Sequence, residues 1–105
     1  MPVVVVVAQV ERPADAEKDL EDYAACACAV QNLMLAARSR GLGTTLTTLH
    51  RAHEEDVKEL LGMPDNVQTL ALIPLGWPKG KFGMGVRRPV EEVAYWETWG
   101  ETRSR

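Results

Sequence analysis

The sequence predicts a single small domain that combines helices with a β-sheet. Two continuous apolar runs, Pro2–Val10 (PVVVVVAQV) and Val67–Gly76 (VQTLALIPLG), favour strands buried on both faces, because such strands carry apolar side chains on either side. Between them, apolar residues recur at spacings of three and four over residues 20–39, which is typical of a helix. A chain of 105 residues is expected to hold one domain, residues 1–105, with a core of modest size.

The predicted helix over residues 20–39 is apolar nearly all round. Gln31 and Asn32 are the only polar side chains between Tyr23 and Arg38. A helix of this composition has to be covered on nearly all sides, which one or two strands of the same chain cannot do. We therefore expect a partner chain, or sequence outside this chain, to cover the rest of it.

The remaining segments are predicted from their turn residues and charges. The polar and acidic residues 11–21 are expected to form a loop. Residues 52–61 predict a shorter helix with acidic residues near its start. Glycines and a proline in residues 77–88 indicate an irregular segment without helix or strand. Residues 89–105 are expected to form an extended C-terminal arm, with room for a turn of helix near Pro89.

The composition indicates a globular protein without a nucleic-acid or membrane partner. The sequence is 46% hydrophobic and 26% charged, with a net charge of -3, so no strongly basic surface is implied. The apolar run Val3–Val7 is too short for a bilayer span of about 20 residues, and it lacks the preceding basic residues of a signal peptide. The cytoplasm is therefore the predicted compartment, where disulfides are not expected.

Two groups of residues invite a metal or redox interpretation that their spacing does not favour. Cys26 and Cys28 would point about 200° apart on a helix of 3.6 residues per turn, so we expect them to pack as small buried apolar residues. His50, His53 and Glu54 lie at spacings that share a helical face. No further ligand is evident, so solvated residues at a helix start are the favoured interpretation and no metal site is predicted.

The stretch from Ser39 to His50 (SRGLGTTLTTLH) resembles a phosphate loop only superficially. It lacks the glycine spacings of phosphate-binding motifs. It also follows the C-terminal end of a helix, which Gly41 is expected to terminate and where the helix dipole repels anions. The stretch instead offers extended backbone whose N–H and C=O groups suit the edge of a flat polar heterocycle. An ordinary connection between a helix and a loop is the alternative.

Four basic residues lie close together in an otherwise acidic chain: Lys79, Lys81, Arg87 and Arg88. Arginine binds phosphate through two parallel hydrogen bonds, so a phosphate contact is one interpretation. A solvated basic loop is the other, and these residues alone do not separate the two.

The chain contains, in this order, the segments AVQNLMLAARSRGLGTTLTTLH, VKELLGMPDNVQTLALIPLGWPKGKFG and RRPVEEV. In order and spacing they resemble the C-terminal half of the FMN-dependent nitroreductase family, and the resemblance extends from about Pro2 to Gly100. It implies an α+β fold, a nitroreductase-like mixed sheet flanked by helices, of which this chain represents the C-terminal half and which dimerisation completes. It also implies an obligate homodimer with FMN sites at the subunit interface, formed in part by the long apolar helix.

The resemblance further implies which residues meet the cofactor. The backbone after the Gly-Leu-Gly turn would lie along the isoalloxazine ring, which maps to Leu46, Thr47, Thr48 and Leu49, with His50 as a marginal neighbour. The FMN phosphate would meet Arg87, or Arg88 if the register differs by one residue. No catalytic side chain and no metal ligand is assigned.

The function implied by the resemblance is an FMN-dependent oxidoreductase in which NAD(P)H drives the reduction of nitroaromatic, quinone or similar acceptors. Relatives are about twice as long, and their N-terminal half supplies further contacts to the phosphate and ribityl chain. The expected partner is therefore a second copy, or a chain that supplies an N-terminal half. The alternative is a truncated, non-catalytic relative that acts as a dimerisation or partner-binding module without flavin. The acceptor and the choice between NADH and NADPH are left open.

Overall fold

The computed structural model describes residues 3–102 and confirms the predicted combination of helices and sheet. Its regular elements follow one another along the chain. They are strand β1 (Val3–Val10), helix α1 (Ala16–Ser39), strand β2 (Gly43–Thr44), a 3-10 helix (Leu49–His53), helix α2 (Glu54–Leu61), strand β3 (Val67–Gly76) and a second 3-10 helix (Val90–Glu92).

The three strands form one sheet in the order β1-β3-β2. Both strand pairs are antiparallel, whereas the resemblance implies a mixed sheet for the complete fold. An isolated bridge between Thr47 and Leu72 extends the pairing beyond β2. Strand β3 is therefore central, and the residues after β2 form one edge of the sheet.

The core lies along β3, as the sequence predicted for this strand. Leu70, Ala71 and Ile73 are buried, and Thr69 is completely inaccessible to solvent. Alternating faces of β3 both contribute to this set, which agrees with a strand covered on both sides.

Strand β1 corrects the prediction that it would be buried on both faces. Val3, Val4 and Val10 each expose more than half of their surface. The reason is position, because β1 pairs with β3 on one side and has no strand on its other side among the described residues. Pro2, which the sequence placed in the same strand, lies outside the described residues.

Helix α1 begins at Ala16, so the loop predicted for residues 11–21 is too long and the helix predicted from residue 20 starts too late. Asp15 is the reason, because its Oδ1 accepts a hydrogen bond of 3.0 Å from the Lys18 backbone N–H. This bond satisfies one of the free N–H groups of the first turn. The acidic residues Glu17 and Asp19 in that turn favour the positive end of the helix dipole.

The C-terminal end of α1 agrees with the prediction. Gly41 has a φ of +83°, a left-handed conformation that glycine adopts without steric cost. Only Val30 and Ala37 of α1 are buried, whereas Leu20 and Leu35 expose more than half of their surface. The apolar helix is thus left largely uncovered by the described part of this chain. None of the helices in residues 3–102 is both long and apolar enough to span a membrane.

The segments after α1 match the prediction in outline. The helix predicted over residues 52–61 is a 3-10 turn, Leu49–His53, followed by α2. Residues 77–88 are irregular, as expected. The 3-10 turn Val90–Glu92 lies where a turn of helix was allowed, while the extended arm over residues 89–105 stays a prediction.

Candidate functional site

The segment that follows β2 presents unpaired backbone groups at the edge of the sheet. Thr47 and Leu72 exchange two hydrogen bonds, each with an N to O distance of 2.9 Å. In an antiparallel pair, the residues on either side direct their backbone groups away from the partner strand. The N–H and C=O of Leu46 and the N–H of Thr48 accordingly have no hydrogen-bond partner within residues 3–102. We call Leu46–Thr48 the open edge.

A small cavity of about 120 Å³ lies beside the open edge. It is bounded by the open edge, by one face of α1 and by the centre of β3. Its lining residues are Leu46, Thr48, Tyr23, Ala27, Val30, Gln31, Leu70 and Ala71. The sequence interpretation missed the contribution of α1, although the spacing of Tyr23, Ala27 and Val30 places them on one helical face. The cavity wall is mainly apolar, and the open edge adds hydrogen-bonding groups at its rim.

The irregular segment after β3 packs against the glycine turn. The Phe82 ring lies under the Arg38 guanidinium, whose central carbon is 4.7 Å from the ring centroid. A Cβ atom at Gly43 would lie 3.1 Å from this ring, so a side chain there would displace Phe82. Gly43 is therefore favoured by close packing against Phe82, whereas Gly41 is favoured by its backbone conformation.

A polar cluster centred on Thr69 connects the residues after the open edge to β3. Thr69 donates to Glu54 Oε1 through both its backbone N–H, at 2.7 Å, and its hydroxyl, at 2.8 Å. Its Oγ1 is also 2.8 Å from His50 Nε2. We call these three residues the Thr69 cluster. The expectation that His50 and Glu54 are solvated is therefore wrong, while exposed His53 agrees with it.

The sequence could not reveal this cluster, because Glu54 and Thr69 are 15 residues apart and meet only through the fold. The described residues contain no group of histidine, cysteine or acidic side chains able to hold a metal ion. Cys26 and Cys28 are free thiols, and Cys28 is exposed, which corrects its predicted buried packing within this chain.

The environment of Glu54 lowers its pKa below the ordinary value of 4.5. Burial acts in the opposite direction and would raise the pKa. The two hydrogen bonds from Thr69, together with the positive charge of Arg51, outweigh burial because they stabilise the ionised carboxylate. The carboxylate is therefore ionised at neutral pH and accepts both Thr69 hydrogen bonds.

Glu54→Gln is expected to lower the free energy of unfolding at pH 7 by about 1 kcal/mol, because hydrogen bonds to a charged group are stronger than neutral ones. A lowered pKa in the folded state stabilises the protein above the unfolded-state pKa, and this contribution is lost as the pH falls through the folded-state value. The difference between wild type and variant should thus shrink as the pH falls below 4.5. Urea denaturation across this range measures it. Glu55→Gln is the control, since the Glu55 side chain is 87% exposed; a pH dependence of the same size there would contradict the assignment.

The other predicted cofactor residues are Leu49, which immediately precedes His50 of the Thr69 cluster, and Arg87 and Arg88, which follow β3. Leu49 is strongly exposed at the start of the 3-10 turn. Arg87 and Arg88 are exposed in the irregular segment, and the Arg87 Nη1 donates to the Val86 carbonyl at 3.1 Å. Neither arginine takes part in a salt bridge of the described residues. Among residues 3–102, no ion pair neutralises their charges and no hydrogen bond joins them to the open edge.

Comparison with known proteins assigns the family. The sequence profile of the nitroreductase family matches residues 1–77. The chain belongs to this family. The matched region includes the open edge and the Thr69 cluster and ends where the irregular segment begins, so it does not contain Arg87 and Arg88.

Solved structures confirm the nitroreductase fold. The nitroreductase-like family protein of Bacillus cereus superposes with a TM-score of 0.74 at 26% identity, over 90% of this chain and 51% of that protein. NfrA1 of B. megaterium gives a TM-score of 0.64 at 37% identity, over 70% of this chain and 30% of that protein. A protein of Archaeoglobus fulgidus, provisionally named an NADH dehydrogenase/NAD(P)H nitroreductase, is 36% identical over 56 residues, which are 51% of this chain and 32% of that protein. The chain thus spans between about a third and about half of the length of these relatives.

Proposed function

We propose that this chain forms one wall of an FMN site in a nitroreductase-type oxidoreductase that takes electrons from NAD(P)H. The observation that supports this most directly is the open edge beside the apolar cavity. A flavin ring has apolar faces and one edge rich in hydrogen-bonding atoms. The unpaired groups of Leu46 and Thr48 suit that edge, and the cavity between α1 and β3 suits part of a ring face, so the residues present fit the cofactor.

FMN, when bound, supplies the hydride chemistry that links NAD(P)H to a nitroaromatic, quinone or similar acceptor. The chain's own residues bind and orient it. The backbone N–H groups of the open edge stabilise negative charge on the ring, as a preorganised donor does in an oxyanion hole. The apolar lining of the cavity excludes water from one side. Arg87, with Arg88 as the alternative, supplies positive charge for the phosphate.

The rest of the site is proposed to come from a second copy of this chain or from a chain that supplies an N-terminal half. This proposal is supported by the uncovered apolar surface of α1 and by the exposed valines of β1, since a patch of this kind marks an interaction surface. The cytoplasm stays the predicted compartment on the sequence alone.

A second candidate function is a non-catalytic module that dimerises or binds a partner without flavin. The observation that favours it is the same uncovered face of α1, which suits association whether or not a cofactor is present. The open edge favours the oxidoreductase, because a module that only dimerises has no need of an apolar cavity with unpaired backbone groups at its rim.

FMN binding distinguishes the two functions. We expect the purified chain to take up FMN, show flavin absorbance, and gain about 2.7 kcal/mol in unfolding free energy at a free FMN concentration 100 times its dissociation constant. Riboflavin, which lacks the phosphate, is the matched control and should bind more weakly. A colourless protein that FMN does not stabilise, alone or with an added N-terminal half of a relative, would favour the non-catalytic module.

A further inference from the structure

Glu54 and Thr69 make none of the proposed cofactor contacts and the resemblance gives His50 only a marginal place beside the ring, yet the Thr69 cluster fixes the segment that meets the cofactor. His50 comes two residues after the open edge, Glu54 is the first residue of α2, and Thr69 lies completely buried in β3. The cluster therefore joins the 3-10 turn and the start of α2 to the middle of the central strand. The Thr47–Leu72 hydrogen bonds attach the open edge itself, so the segment is held to β3 at two successive points.

We propose that His50 and Glu54 are positioning residues, which act through Thr69 to hold the open edge in a single conformation. The proposal rests on the proposed function for the claim that a flavin meets this edge. Its physical reason is that the open edge has no hydrogen bonds on its outer side, so only its attachments to β3 fix its orientation. Loss of the second attachment frees residues 48–53 to move and leaves the edge held by the Thr47–Leu72 pair and by the β2–β3 pairing that precedes it.

The hydrogen bonds define the direction of donation through the cluster. The Thr69 hydroxyl has one proton, and the ionised Glu54 carboxylate can only accept, so that proton lies toward Glu54. The Thr69 oxygen then accepts from His50, which requires a hydrogen on Nε2. The Nδ1 atom of His50 is buried and has no hydrogen-bond partner among the described residues, which suits a bare lone pair better than an N–H. The geometry thus assigns the Nε2–H tautomer, which imidazole ¹⁵N chemical shifts test directly.

Hydrogen exchange in the absence of flavin tests the positioning role by itself. Thr69→Val keeps the shape of the side chain but removes the hydroxyl, and Thr69→Ser keeps the hydroxyl. We expect Thr69→Val to lower the protection of the Thr47 and Leu72 amides at least tenfold, about 1.4 kcal/mol of local opening, while amides of the β1–β3 ladder change much less. Thr69→Ser should retain most of the protection. A uniform loss at all amides would indicate ordinary destabilisation and overturn the proposal.

His50→Ala and His53→Ala provide a test variant and its matched control for measurements on the flavin-bound protein. His50→Ala should weaken FMN binding roughly tenfold and shift the reduction potential of bound FMN, because the edge that meets the ring is no longer held. His53→Ala, which removes an exposed ring from the same turn, should change neither quantity. Equal effects of the two variants, or none from His50→Ala, would overturn the proposal.

The two possible failures can be told apart. If the wild-type chain binds no FMN, alone or with an added N-terminal half of a relative, the proposed function fails, and the exchange pattern of Thr69→Val and Thr69→Ser still decides whether the cluster holds the open edge. If wild type binds FMN and Thr69→Val binds it equally well with unchanged protection at Thr47, the positioning role fails while the proposed function stands.

Discussion

Ile73→Ala is expected to lower the free energy of unfolding by about 2–5 kcal/mol, because it removes a buried side chain and leaves a cavity in a core that relaxes only partly. Ile73 has no solvent exposure and lies in the central strand of the sheet. Single domains are stable by only about 5–15 kcal/mol, so the variant should be substantially unfolded at moderate temperature. Urea denaturation followed by circular dichroism measures the loss.

Leu60→Ala is the control for this prediction. Leu60 lies in α2 and exposes 84% of its surface, so its replacement should change stability by no more than about 0.5 kcal/mol. Comparable losses from Ile73→Ala and Leu60→Ala would mean that the core does not lie along β3, or that an unidentified partner buries α2.

Arg87→Ala is expected to weaken FMN binding by about 10- to 150-fold, because a charged hydrogen bond to phosphate contributes roughly 1.5–3 kcal/mol. Arg87 forms no salt bridge within the part of the chain that the structure describes, which makes such a contact available. Lys79→Ala, which removes an equally exposed positive charge from the same irregular segment, should weaken binding much less. Fluorescence titration of FMN into each variant gives the comparison.

Riboflavin makes the Arg87 test specific for phosphate. Because riboflavin has no phosphate, Arg87→Ala should bind it about as well as wild type does. A similar loss for both ligands would indicate that Arg87 supports the fold of the site. If Arg88→Ala shows the phosphate-specific loss and Arg87→Ala does not, the phosphate assignment moves by one residue.

The parts of the fold that were predictable are those whose cause is local in the sequence. The limits of β3 follow from a mainly apolar segment, and the end of α1 follows from a glycine that adopts a positive φ. The start of α1 could also have been predicted from Asp15, which is a suitable N-cap residue. The charged residues around it suggested a loop instead. The extent to which β1 is buried could not be predicted from the sequence, because it depends on which strands and chains lie beside this strand.

The candidate site also has one part that the sequence predicted and another that it did not. The backbone after the glycine turn was identified from a sequence resemblance, and the structure shows why it is suited to a ligand, namely that Leu46 and Thr48 direct their backbone groups away from β3. The Thr69 cluster escaped prediction because a hydroxyl, a carboxylate and an imidazole far apart in sequence had to meet inside the fold. Arg87 and Arg88 stay predictions from the resemblance.

The strand order also bears on how the chain folds during synthesis. Strand β1 pairs with β3, with Val10 opposite Val67. The valine-rich β1 therefore leaves the ribosome well before β3, which is its only neighbouring strand among the described residues. Non-local pairing of this kind forms slowly, and unpaired apolar strands are the segments most prone to aggregate. Until β3 has emerged, β1 and the apolar helix that follows it have no sheet to cover them. We therefore expect expression of this chain to depend on chaperones and on translation rate, as a consequence of its strand order.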